Sequence, residues 1–291
     1  MTAGIAPPVL SLEGRNALVT GGGTGLGKAI AIGLAAAGAN VTICGPDAAV
    51  LDEAVAALGE LGLDHVKGVT ADITDEPQIA AAVAAASQDG PLRIVVANAG
   101  VAFPGSLLHL GAEHWMGPIG VNVLGTAHTI KHAALHMKEH GGGSIITISS
   151  IASSRPAAFM GTYSVSKAAV DELTRFAAAE LGRFGIRVNG IRPGWMRTET
   201  VEATTSEENL ELIRQQTPLA TGSPLGQLGD PDDVARAAVY LASDYSAWIT
   251  GQLLGVCGGS SLPPPAGDFS NIAQLIFADD MARDFDNGGS N

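Results

Sequence analysis

Tyr163, Lys167 four residues later, and the serine pair Ser149-Ser150 ahead of them are the side chains best placed for chemistry. A hydroxyl, a phenol and an ammonium that converge can move a proton to or from a substrate oxygen. A free phenol titrates near ~10 and is a poor base at neutral pH. Lowering it by roughly three units requires about 4 kcal/mol of preference for the phenolate. A neighbouring ammonium supplies part of that preference. Helix formers run from Ala157 onward with Pro156 before them, so Tyr163 and Lys167 are expected one turn apart on one helical face. The other tyrosines, Tyr240 and Tyr245, have no lysine four residues on.

The serines close an apolar, β-branched run, Ile145-Ile146-Thr147-Ile148, which reads as a buried strand. Further strands are expected at Asn16–Thr20, Val41–Cys44, Val66–Thr70, Ile94–Ala97, Arg187–Ile191 and Gln252–Val256. Helical patterns separate them: one after Gly27, then Ala48–Leu61, Pro77–Gln88, a long Glu113–Met137, Ala157–Phe184, and one from Asp230 to Ala242. Pro118 cannot donate to the carbonyl of His114, so a kink is expected four residues before Asn122. This alternation calls for a parallel sheet covered on both faces. Right-handed crossovers then make it a single doubly wound, Rossmann-type α/β domain with a mostly parallel seven-stranded sheet. Ligands of such sheets bind beyond the carboxyl ends of the strands. Gly21 to Gly27 (with Thr24, Gly25 and Leu26), Asp72-Ile73, Asn98-Ala99-Gly100, Ser150 and Pro193-Gly194 all fall there. Strand, glycine loop and helix in succession is the arrangement that sets a pyrophosphate on a helix N-terminus.

The chain has a formal net charge of −13 and no basic run, which argues against nucleic acid or anionic membrane as a partner. Cys44 and Cys257 lie in or beside expected strands and read as free thiols of a reducing, cytoplasmic protein. No signal peptide or membrane span is evident. His128, His132, His136 and His140 fall at intervals of four, one stripe on a helix. Without a Cys or acidic ligand at metal-site spacing, they read as a mixed face or subunit contact, and no metal is expected. Residues 1–13 are expected to form a flexible arm, 14–262 the catalytic domain, and 263–291 a Pro-led extension with a short helix. A substrate lid is expected over about 195–229.

Taken in order, Thr20-Gly21-x-x-x-Gly25-x-Gly27, Asn98-Ala99-Gly100, Ser150, Tyr163-x-x-x-Lys167 and Pro193-Gly194 resemble the short-chain dehydrogenase/reductases, over about Leu12 to Ser261. The resemblance implies a nicotinamide-dependent oxidoreductase that interconverts a secondary alcohol and a ketone by hydride transfer. Tyr163 is then the general acid/base, and Lys167 holds the cofactor ribose and favours the phenolate. The interval to Tyr163 selects Ser150, rather than Ser149, to orient the substrate oxygen. Asn122 matches the asparagine that holds a water linked to Lys167. Gly21, Gly25 and Gly27 would approach the phosphates. Asp72 would meet the adenine amino group or simply make a turn, Asn98 would steady the central strand, and Thr198 would contact the nicotinamide carboxamide or phosphates. At the end of the second strand stands Gly45, where NAD-preferring relatives carry a carboxylate, followed by Pro46, where NADP-preferring ones often carry arginine. NADP(H) is therefore favoured by a small margin over NAD(H). The expected substrate is a small apolar ketone or alcohol, and the expected assembly a homotetramer, with a dimer as alternative. Reduction of a 3-oxoacyl thioester on a carrier protein is the rival activity. A cofactor-binding sensor or structural subunit without turnover is the rival of a different class.

Overall fold

The computed structural model describes residues 10–199 and 228–262, together with 201, 206, 208, 210, 211, 213 and 217. Most of the expected lid, most of the expected N-terminal arm and the Pro-led extension lie outside the described residues. Within the expected arm, Leu12 is fully buried and its N–H donates to the Ala37 carbonyl at 2.7 Å, so the ordered chain begins before residue 14.

Seven strands form one sheet: β1 (Asn16–Thr20), β2 (Asn40–Gly45), β3 (Val66–Thr70), β4 (Leu92–Ala97), β5 (Gly143–Ile148), β6 (Ile186–Pro193) and β7 (Leu253–Val256). The order is β3-β2-β1-β4-β5-β6-β7, with every pairing parallel. Helices α1 (Gly25–Ala36), α2 (Ala48–Glu60), α3 (Glu76–Ala86), α4 (Ala112–Pro118), α5 (Thr126–Met137), α6 (Gly161–Leu181) and α7 (Pro231–Ala242) cover it. Strand side chains alternate between two cores, because successive residues of a strand face opposite ways. Val19, Ile94 and Ile146 pack against Ile30 and Leu34 of α1, Leu58 of α2 and Val234 of α7. Leu18, Val95 and Ile145 pack against Ile79 of α3, Ile130 of α5 and Ala177 of α6. Strands apolar on both faces are what a parallel sheet between two helical layers requires.

Local chemistry sets the helix starts. Asp47 accepts from the N–H groups of Ala49 and Val50, Asp75 from that of Gln78, and Asp230 from that of Asp232. Two expected helices differ from the sequence reading. The long Glu113–Met137 helix is interrupted: α4 ends at Pro118, and Ile119–Gly125 is a π-helix before α5 begins. Proline lacks the N–H that an α-helical ladder needs, and the wider turn absorbs the break. The helix expected from Ala157 starts at Gly161. Ahead of it Phe159 adopts φ 64°, its carbonyl accepting from the Gly105 N–H at 2.7 Å. That pairing turns the chain sharply and puts Tyr163 in the first turn of α6.

Ile146 is fully buried in the central layer of the sheet. Ile146→Ala should therefore cost roughly 2–5 kcal/mol. The measurement is a denaturant titration, with the midpoint lowered and the slope unchanged.

Candidate active site

Between β1 and β4 the strand order reverses, and the glycine loop sits at that crevice. Gly21 and Gly25 have φ of 62° and 51°, the left-handed region open to glycine. The Gly21 N–H donates to the Cys44 carbonyl at 2.7 Å, folding the loop back over β2. A Cβ on Gly27 would stand 2.0 Å from the Gly21 carbonyl oxygen and 2.5 Å from Nδ2 of Asn98. Thr24, the residue before α1, makes no side-chain cap, so the first N–H groups of this helix stay open to an anion. Leu26 packs against the core beneath. Thr198 lies over the loop, its Cγ2 3.7 Å from where a Gly25 Cβ would be. Its Oγ1 accepts from the Val201 N–H at 3.3 Å.

The neighbouring turns are held by side chains. Asn98 donates Nδ2 to the carbonyls of Thr20 at 2.9 Å and Gly21 at 3.1 Å. In return Thr20 Oγ1 accepts from the N–H groups of Asn98 and Ala99, at 3.0 and 3.1 Å. These bonds staple the end of β4 to the end of β1. Asp72 uses Oδ1 to accept from both the N–H and the hydroxyl of Thr74, at 2.8 Å each. It makes a turn, while the cap of α3 falls to Asp75. Ile73 is buried against Gly125. Beyond β6, the Gly194 N–H donates to the Val256 carbonyl at 2.9 Å, after which Trp195 and Arg197 exchange backbone hydrogen bonds with Gly229. Those bonds clasp the two ends of the expected lid.

The chemical group converges across β5 and α6. Ser150 follows β5 and its Oγ accepts from the Ala152 N–H at 3.1 Å. The Ser150 hydroxyl stands near enough to the Tyr163 phenol to favour its ionised form. Ser149 is buried instead, donating to the Lys167 carbonyl at 3.1 Å, so the two serines stand in different surroundings. Lys167 is buried, with Nζ 2.8 Å from the Ile148 carbonyl and 5.7 Å from the centre of the Tyr163 ring. Asn122, in the π-helix, is fully buried. Its Nδ2 donates to the Val101 carbonyl at 2.9 Å and to Ser166 Oγ at 2.8 Å, and its Oδ1 accepts from the Val101 N–H at 2.7 Å. A Cβ on Gly100 would lie 3.1 Å from both Asn122 Oδ1 and Lys167 Nζ, so the two groups flank one glycine.

The electrostatics differ from the sequence expectation. Burial pushes the Tyr163 phenol above its ordinary value, opposed by the nearby Ser150 hydroxyl. Burial also holds Lys167 down to about 8, with the Asp171 carboxylate acting upward. The protein therefore disfavours charge on both partners, and a lowered Tyr163 requires further positive charge in the site. Sequence reasoning missed Ser166, which fixes Asn122, and the Asp171–Arg192 pair beside Lys167. The signal for that pair was a charged Arg192 inside an apolar strand and an acid four residues after Lys167. The histidine stripe turns elsewhere: His132 and Lys131 bind Glu76 at 3.0 and 2.6 Å, and His136 accepts from the Leu92 N–H. Among the described residues no group of three or more His, Cys, Asp or Glu is arranged to hold a metal.

Comparisons with known proteins follow the same geometry. A family model described as enoyl-(acyl carrier protein) reductase matches residues 21–261. Cis-4-hydroxycyclohexanecarboxylate dehydrogenase of Sinomonas cyclohexanicum is 38% identical over 84% of this chain and 96% of its own. A 7α-hydroxysteroid dehydrogenase, solved with NADH and 7-oxo glycochenodeoxycholic acid, superposes with a TM-score of 0.80 at 35% identity, covering 86% of this chain and 96% of that one. The gluconate 5-dehydrogenase of Burkholderia cenocepacia J2315, solved with NADP and tartrate, gives 0.81 at 30% identity over 88% and 98%. The glycine cradle and the uncapped start of α1 fit the dinucleotides those structures hold. The family model spans residues 21–261 and these relatives match most of both chains, so the chain belongs to the short-chain dehydrogenase/reductase family, oxidoreductases that interconvert alcohols and carbonyl compounds.

Proposed function

We propose that Tyr163 is the general acid/base of a secondary-alcohol and ketone interconversion on a small apolar substrate. The observation that carries this reading is the convergence of Ser150, after β5, and Tyr163, on α6, with Lys167 Nζ 5.7 Å from the centre of the same ring at the carboxyl ends of the strands. A bound nicotinamide dinucleotide supplies the hydride in reduction and accepts it in oxidation. Gly21, Thr24, Gly25, Leu26 and Gly27 would hold its phosphates, Asp72 and Ile73 its adenine side, Asn98, Ala99 and Gly100 its ribose side. Pro193, Gly194 and Thr198 would hold the carboxamide end, and Lys167 the nicotinamide ribose.

In reduction, Tyr163 gives its proton to the substrate oxygen as charge develops there. Ser150 takes the Ala152 N–H on its oxygen, which leaves its own O–H free to donate to that same oxygen. Lys167 stabilises the phenolate that remains, and with Asn122 it returns a proton to Tyr163. In oxidation each step reverses. Phe103, Phe159 and Trp195 are 42%, 66% and 45% exposed on the loops beside this cluster, which supports an apolar substrate. Two of the relatives are named for alcohols borne on a carbocycle, so a cyclic secondary alcohol is the first class to screen. The thioester rival needs cations at the mouth to meet a phosphorylated carrier. Arg155, on the loop beyond Ser150, is instead bonded to the carbonyls of Ser260 and Leu262.

For the cofactor, NADP(H) is the proposed preference over NAD(H). Gly45 leaves no carboxylate at the end of β2, and Asp47 Oδ1 is engaged with the N–H groups of Ala49 and Val50 at 2.9 and 3.3 Å. We place the enzyme in the cytoplasm as a homotetramer. Phe176, Val165 and Leu135, all exposed on α5 and α6, supply apolar surface for subunit contact.

Tyr163→Phe should keep cofactor binding and lose turnover by about 10³-fold or more, as removal of a general acid/base does. Rates near wild type against a panel of cyclic ketones and alcohols would overturn the mechanism. In a fluorescence titration NADPH should bind at least about tenfold tighter than NADH, a difference of about 1.4 kcal/mol. Equal or reversed dissociation constants would sink the cofactor preference.

A further inference from the structure

Asp171 lies one helical turn beyond Lys167 on α6, and the two are 3% and 4% exposed. Its Oδ2 takes two hydrogen bonds from Arg192 of β6, from Nε at 3.0 Å and Nη2 at 2.6 Å. Its Oδ1 is buried with no hydrogen-bond partner among the described residues. A buried carboxylate oxygen left without a donor is costly, because it has given up water and gained nothing in exchange. A purely structural ion pair would gain by satisfying both oxygens, and a pair of apolar residues would serve packing as well. Helical side chains lean toward the N-terminus, which directs Asp171 toward the turn that carries Lys167.

We propose that the Asp171–Arg192 pair is a positioning device for Lys167, in which Asp171 supplies the negative charge that keeps the buried ammonium protonated and Arg192 limits how strongly it does so. The inference rests on the reading of Tyr163 and Lys167 given above. Lys167 works only as a cation, yet its surroundings are dry, and burial opposes its charge while Asp171 favours it. The other charged groups on elements packed against α6 are engaged elsewhere. Glu113 and His114 of α4 face each other at 3.3 Å. Lys131, His132 and His128 of α5 turn to Glu76. His136 of α5 accepts from the Leu92 N–H, and Arg187 of β6 donates to the carbonyls of Leu241 and Ser243. Arg183, after α6, stacks on Phe184. From β5, the Ile148 carbonyl accepts from Lys167 Nζ at 2.8 Å. Arg192 also immediately precedes Pro193-Gly194, so the pair ties α6 to the strand end that leads into the cofactor side of the site.

The test reads Lys167 directly and needs no substrate. The chain has only five lysines, Lys28, Lys67, Lys131, Lys138 and Lys167, so 13C-lysine labelling of the full-length protein gives a resolvable NMR titration. Loss of one signal in Lys167→Met assigns it. Asp171→Asn should lower the Lys167 midpoint by about one pH unit, a tenfold change in its proton equilibrium. Arg192→Gln, which leaves Asp171 charged and uncompensated, should raise it by a comparable amount. Arg192→Lys should stay near wild type. Opposite displacements are the signature, because a merely structural pair would disturb both variants alike. Midpoints that do not move, or that move the same way, overturn the proposal. Should Asp171→Asn fail to fold, the direction of the Arg192→Gln displacement decides alone. Turnover in Tyr163→Phe would instead overturn the underlying chemistry, whatever Lys167 does.

Discussion

Gly21 and Gly27 meet across the turn between β1 and α1 at a distance that leaves no room for a Cβ on Gly27. That contact lets α1 begin directly behind the first strand, with its open N–H groups facing the crevice. It also brings the Gly21 carbonyl within reach of Asn98, which binds β4 to β1 where the strand order reverses. The carboxyl ends of β1 and β4 are thereby fixed to one another, and β5 pairs along β4 beside them. Ser150, Tyr163, Lys167 and Asn122 are all hung from those ends or from the helix packed on them. A looser turn would displace the cradle and the Ser150–Tyr163–Lys167 cluster together.

The second constraint is electrostatic. The site is dry enough that charge on Tyr163 and on Lys167 is disfavoured by burial, and the two cannot rescue one another across 5.7 Å unless the cation survives. Low dielectric strengthens every interaction in the cluster, and it penalises every group left unpaired. This explains the density of buried polar partners: Ser166 on Asn122, Ser149 on the Lys167 carbonyl, Arg192 on Asp171. Each fixes a group that would otherwise swing to find water. Backbone irregularity clusters here too, with the π-helix at Asn122 and the positive φ of Phe159 at the start of α6. Such departures persist where surrounding contacts over-determine them, and they re-aim side chains that regular helices would bury differently.

Much of this was legible in the residues. Apolar runs marked the central strands, because a strand sandwiched between helical layers has no polar face to confuse the pattern, and the alternation with helices placed the others. Glycines directly after the first strand marked the cradle, and the Tyr163–Lys167 interval marked one helical face. What the pattern lost was local. A long apolar periodicity hid the π-helix, since Pro118 announced a break without saying how the chain would absorb it. Good helix formers at Ala157 and Ala158 suggested too early a start for α6, because a tertiary pairing between Gly105 and Phe159 outweighed their propensity. Asp72, open between turn and ligand, forms a turn with Thr74.

Sequence alone determined the order of elements, the parallel sheet and the placing of Tyr163 and Lys167 on one helical face, because these follow from periodicity and from spacing along one helix. Only the tertiary structure decided their ionic state. Burial of Tyr163 and Lys167, the orphaned oxygen of Asp171 and its pairing with Arg192 arise from segments brought together across the sheet. Desolvation is a property of what surrounds a group, and no spacing along the chain encodes it.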